Sequence, residues 1–76
     1  MQSQSPEKKR ADALLDLAAR VFGVDRRSLS PGSKRGDIPE WDSINHIRLA
    51  MEAEELLGTR YAIERIPAME KLEDFL

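Results

Sequence analysis

Ala11, Leu14, Leu15, Ala18, Val21 and Phe22 recur at three- and four-residue spacing. That period places them on one stripe of a helix. Ser5 offers an N-cap, Pro6 fits the first helical position and Glu7 complements the positive end of the helix dipole. Gly23 stands where a helix-ending glycine is favoured. The pattern predicts a first helix over Pro6 to Phe22. A second apolar run gives Ile44, Ile47, Ala50, Met51 and Leu57 as an inward face, with Leu49, Ala53 and Leu56 nearby. It predicts a helix that opens at Asp42 or Ser43 and closes at Leu57, before Gly58. Glu52, Glu54 and Glu55 are assigned to its outer surface.

Between these helices, Gly23 to Asp42 reads as one long connection, punctuated by Pro31, Gly32, Gly36 and Pro39. A loop of about 20 residues is unusual in a small domain and has to be pinned. Val24, Leu29, Ile38 and Trp41 are its apolar anchors, and Asp25 or Ser28 can start one helical turn within it. After a short loop at Thr59 to Ala62, Ile63 to Ile66 suggests one helical turn, which Pro67 interrupts. A last helix is expected over about Ala68 to Leu76, burying Met69, Leu72 and Phe75 or Leu76. No period-two alternation suggests a strand. The expected fold is all-α: a small antiparallel four-helix bundle with a long first loop and a short third helix.

The chain has 76 residues, so residues 6–76 are expected to form a single domain behind a disordered tail at residues 1–5. There is no cysteine, which removes disulfides and thiolate metal sites. No apolar run approaches the roughly 20 residues needed to cross a bilayer, and the start lacks an apolar signal core. A cytoplasmic protein with no membrane insertion is the expectation. The formal charge of −2 conceals an asymmetry. Residues 1–35 hold eight Lys and Arg against four Asp and Glu, while residues 36–76 hold four against ten. The acidic second half would repel phosphates, so no nucleic acid is expected there. It suits partners that present Lys or Arg, and it also suits an ordinary solvated helix surface.

The segment from Pro39 to Ile47, PEWDSINHI, gathers Asp42, Ser43 and His46. Ser43 and His46 are three apart, on one side of a helix. A hydrolase would also need an oxyanion site and a cleft, and nothing nearby supplies them. His46 reads as a partly exposed helix residue. One histidine and scattered carboxylates do not make a dedicated metal site. A helix-turn-helix DNA reader fits by size, but the helix after the loop is acidic where it should be basic. Ser43 itself starts a helix, where unpaired N–H groups and the dipole would favour a phosphate ester. By spacing alone, the simpler reading prevails: Asp42 or Ser43 is an ordinary cap, since Asp and Ser are the usual residues there.

From Trp41 to Gly58, WDSINHIRLAMEAEELLG resembles the phosphopantetheine attachment region of acyl carrier proteins. Asp42 and Ser43 match the Asp-Ser-Leu signature, with Ile44 for the leucine, and Glu54, Glu55, Leu57 and Gly58 match its far end. The order of predicted elements extends the resemblance over nearly the whole chain. The resemblance implies a protein that is not an enzyme but a carrier, an expected monomer. A phosphopantetheinyl transferase would attach 4′-phosphopantetheine from coenzyme A to Ser43, with Asp42 as the adjacent motif residue. The arm's thiol would carry acyl groups as thioesters between acyl-loading and acyl-accepting enzymes. A peptidyl or aminoacyl carrier is the close alternative, and an unmodified helical interaction module is another. Ile44, Asn45, Arg48, Glu54 and Glu55 are the implied docking residues. Ile47, Met51, Ala53 and Ile66 would line a sheltered acyl chain, or are plain core. Asn45, His46 and Arg48 depart from the acidic residues that follow the serine in fatty-acid carriers, which implies a specialised pathway. Trp41 is expected to anchor the loop.

Overall fold

The structure is a computed structural model that describes residues 5–76. Of the predicted tail at residues 1–5, residues 1–4 lie outside the described residues, and Ser5 serves as the cap of the first helix. Helix α1 spans Pro6–Phe22. The Ser5 hydroxyl accepts the Lys8 N–H at 3.2 Å, and Pro6 occupies the first turn, where its missing N–H costs nothing. Gly23 closes the helix at φ 71°, a left-handed conformation that only glycine adopts cheaply, and returns its N–H to Ala19 at 2.8 Å. The buried face holds Leu14, Leu15, Leu17, Ala18, Ala19 and Phe22.

Helix α2 spans Ser43–Leu57 and ends on Gly58 at φ 66°. Arg10 of α1 donates to the Leu57 carbonyl at 3.2 Å, satisfying one of the carbonyls that α2 leaves open at its end. Both helix bounds agree with those predicted. The long loop contains a 3₁₀ turn at Arg26–Ser28, capped by Asp25, and another at Arg35–Asp37. The anchors act as expected. Leu29 and Trp41 are buried, and Val24 and Ile38 pack against the core at partial exposure. Arg26 ties the loop to α1 through Asp16 at 2.9 Å and Asp12 at 3.5 Å.

The second half departs from the predicted bundle. No third or fourth α-helix forms among the described residues. Two 3₁₀ turns take their places, at Ile66–Ala68 and Leu72–Phe75. The reason is where the backbone bonds go. Glu70 accepts the Arg35 N–H at 2.8 Å, Leu72 donates to Ser33 at 3.1 Å and Glu73 donates to Pro31 at 2.8 Å. These bonds, with an isolated antiparallel bridge between Lys34 and Lys71, hold residues 70–73 against the loop. A continuous helix through them would need the same groups. Asp74 stops the extended stretch by accepting the Glu70 and Lys71 N–H groups at 2.9 Å each. Met69, Leu72 and Phe75 are nevertheless buried, as their spacing predicted. The fold is all-helical, with two long helices, four 3₁₀ turns and no strand among the described residues. No helix among them is long and apolar enough to cross a membrane.

The predicted inward face of α2 is corrected. Ile44, Ile47 and Met51 point outward, at 73 %, 48 % and 64 % exposure, and Leu56 is also exposed. The buried face is His46, Leu49, Ala50 and Ala53. Alanines at 50 and 53 let α2 approach the core closely, which isoleucine at those positions would prevent. Leu49, Leu72, Phe75 and Leu14 are the largest fully buried side chains. Burying each contributes about 1.5–3 kcal/mol.

Candidate functional site: the start of α2

The start of α2 is built by four bonds. Asp42, extended at φ −93°, is the N-cap, and its Oδ1 accepts the Asn45 N–H at 2.8 Å. Its own carbonyl accepts the His46 N–H at 2.8 Å, the first bond of the helix. Asn45 Nδ2 donates to the Glu40 carbonyl at 2.9 Å, and the Trp41 N–H donates to Ile38 at 3.0 Å. The open choice between Asp42 and Ser43 as cap is therefore decided for Asp42. Ser43 is the first helical residue and is exposed. Its hydroxyl contacts the Arg35 guanidinium, with Nη2 at 3.5 Å. Arg35 is brought there by the backbone bond of its N–H to Glu70.

His46 overturns its predicted exposure. It is 2 % exposed, beneath the start of α2. Its Nδ1 accepts from Trp41 Nε1 at 2.9 Å, and its Nε2 pairs with the Ile66 carbonyl. With Nδ1 accepting, the proton belongs on Nε2, which donates to Ile66. The Trp41 ring stacks on Phe22 at 5.3 Å and lies 6.0 Å from His46, whose edge meets Phe75 at 5.7 Å. Both ring nitrogens are thus spent inside the core, and neither remains for the Ser43 hydroxyl. The Asp-Ser-His cluster of the sequence divides into a cap, an exposed hydroxyl and a structural histidine.

The other predicted site residues separate as well. Ile44, Ile47, Arg48 and Glu55 share the exposed side of α2. Asn45 and Glu54 are half-buried and engaged internally, Asn45 with Glu40 and Glu54 Oε2 with the Tyr61 N–H at 2.9 Å. The four residues assigned to an acyl-chain lining do not surround one space. Ile47 and Met51 face outward, Ala53 is fully buried and Ile66 is half-buried against the core. Met51 instead borders a shallow depression with Glu54, Glu55, Thr59 and Arg60. No group of three or more His, Cys, Asp or Glu side chains suited to a metal ion occurs among the described residues.

Two structural residues were missed by the sequence reading. Arg35 lay in a segment read only as loop, and nothing in its neighbours signals the approach to Ser43. Tyr61 falls in the expected loop at Thr59 to Ala62, yet it is buried and its hydroxyl donates to the Phe75 carbonyl at 2.6 Å. Burial pushes the Tyr61 hydroxyl pKa up, which keeps it a donor. Tyr61 is the one tyrosine of the chain and stands between Arg60 and Ala62, with no apolar period around it to signal its burial. The chain matches no family model, and no curated protein matches it.

Proposed function

We propose that the protein is a carrier that bears 4′-phosphopantetheine on Ser43 and moves acyl groups as thioesters between the enzymes of a specialised acyl-transfer pathway. The observation that carries this reading is the freed hydroxyl of Ser43. Asp42 caps α2, so Ser43 is exposed on the first residue of a 15-residue helix with no capping duty. A phosphodiester there fits the residues present. The open N–H groups and positive dipole end of α2 and the Arg35 guanidinium all favour an anion. In the loading step the Oγ–phosphorus bond forms, the Oγ proton goes to the transferase, and the nucleotide half of coenzyme A leaves. The attached arm supplies the terminal thiol that the chain itself lacks.

In this reading the turns at Ile66–Ala68 and Leu72–Phe75 stand for the third and fourth members of an antiparallel four-helix bundle. The protein works in the cytoplasm as a monomer and catalyses nothing itself. A peptidyl or aminoacyl carrier uses the same site with different cargo. The test is intact mass after incubation with coenzyme A and a broad-specificity phosphopantetheinyl transferase. A gain of one phosphopantetheine in the wild type and none in Ser43→Ala is expected. No gain with several transferases would leave an unmodified interaction module.

A further inference from the structure

His46 is the one histidine of the chain, and it lies 2 % exposed in the core. The chemistry at Ser43 makes no use of it. Its ring joins three segments: the end of the long loop through Trp41, the first turn of α2, and the turn at Ile66–Ala68. The two partners differ in kind. An indole N–H can only donate, and a carbonyl can only accept. Only the neutral ring with its proton on Nε2 satisfies both at once. A second ring proton would sit on Nδ1, facing the Trp41 Nε1–H that already donates there at 2.9 Å. One N–H would then point at another. The bond to Ile66 would survive, because Nε2 donates in either form. The proton therefore acts on the Trp41 side alone.

Nothing around the ring offers the cation a home. Every buried side-chain nitrogen and oxygen among the described residues already has a partner. The rings that pack on His46, Trp41 and Phe75, carry no charge. Charged groups on the same elements are engaged or exposed. In the loop, Glu40 is exposed and the Asp42 carboxylate caps α2. Arg65, beside Ile66, donates to the Asp74 carbonyl at 3.2 Å, and the Asp74 carboxylate holds the Glu70 and Lys71 N–H groups. Near Phe75, the Tyr61 hydroxyl is spent on a carbonyl. On α1, Arg20 is exposed, and Asp25 beyond it pairs with Arg27. Arg48 of α2 is exposed. No carboxylate pairs with the ring among the described residues. We propose that His46 is a proton-operated latch: the neutral ring fastens the Trp41 end of the loop to α2, and the cation releases it while staying bonded to Ile66. In the unfolded chain the same proton breaks nothing, so acid favours the opened contact. A free imidazole charges near pH 6.5, above the carboxylates, which gives the latch a pH window of its own. The released segment leads into Ser43, two residues on, and the latch acts whatever Ser43 carries.

The test is NMR on the full chain with nitrogen-15 in its one histidine and one tryptophan, so each ring signal has a single source. At about pH 7.5 the imidazole shifts should report a proton on Nε2 only, and the Trp41 Nε1–H should be protected from exchange. As pH falls to about 5, the ring should become cationic. In the same step, Nε1–H protection, corrected for the intrinsic exchange rate at each pH, should drop about tenfold, with the far-ultraviolet helix signal unchanged. His46→Gln ends in an acceptor and a donor that do not titrate, so its Nε1–H protection should hold over this range. Its thermal midpoint should fall about 5 °C less than that of the wild type. A proton on Nδ1 at the higher pH, a cationic ring with Nε1–H still protected, or no change in either signal would overturn the latch. So would loss of the helix signal in the same step, or an equal acid response in His46→Gln. Should that variant not fold, the wild-type signals decide by themselves.

Discussion

The two faces of α2 are both largely apolar, and only one is buried. The outer face has the larger side chains, Ile44, Ile47 and Met51. The inner face has Leu49, two alanines and a histidine. Hydrophobicity alone would have turned the helix by half a revolution. Fit turned it the other way. Small residues admit α2 to the core, and His46 supplies an acceptor for Trp41 and a donor for Ile66. Burying a polar ring is tolerable when both nitrogens are paired. The lesson is that an apolar face can be kept outside when the opposite face packs better.

The largest expected effect is on the inner face. Leu49→Ala should lower stability by about 3 kcal/mol in denaturant unfolding, since Leu49 is fully buried. A loss below about 1 kcal/mol would break the contrast. His46→Leu keeps the volume but orphans Trp41 Nε1 and the Ile66 carbonyl. It should cost about 2 kcal/mol, and equal stability would show that shape alone seats the helix. Asp42→Ala removes the cap between the faces. A loss of about 1 kcal/mol in thermal unfolding is expected.

A smaller effect concerns Asp74, which orders the segment that covers the inner face. The Lys71 and Glu70 N–H groups hold its carboxyl below the ordinary 3.8. The unfolded chain therefore takes up this proton at higher pH than the folded chain. The contribution is whole above about pH 4 and is lost as pH falls through the lowered folded value. Acid titration of stability should show a shallower acid limb in Asp74→Asn. Smallest of all, Ile47→Ser on the outer face should change stability by no more than about 0.5 kcal/mol. A larger loss would mean that this face belongs to the fold.

Much of this was legible in the sequence, for physical reasons that differ by element. Each long helix is bounded by local chemistry: Ser5 with Pro6 and Gly23 for one, Asp42 and Gly58 for the other. Such signals act within a few residues and read directly. The inner face of α2 did not read, because positions 44, 47 and 51 and positions 46, 49, 50 and 53 make two overlapping stripes of the same period. Choosing between them needs the shape of the surface they meet. The C-terminal turns did not read because their bonds run to Pro31, Ser33 and Arg35, far away in the chain. At the site, Ser43 and Asp42 were visible as residue types. Their division of labour depended on which side chain bent back to Asn45, and Arg35 arrived only through the pairing with Glu70.

The indole of Trp41 has a use apart from holding the fold. It is the only tryptophan in the chain, it is 2 % exposed, and it precedes Ser43 by two residues. Tryptophan fluorescence, excited beyond the tyrosine band, therefore comes from a single emitter seated against Phe22 and His46. Any event at Ser43 that shifts the first turn of α2 alters that emitter's surroundings. The protein carries its own optical gauge beside its candidate attachment point, and needs no added dye to use it.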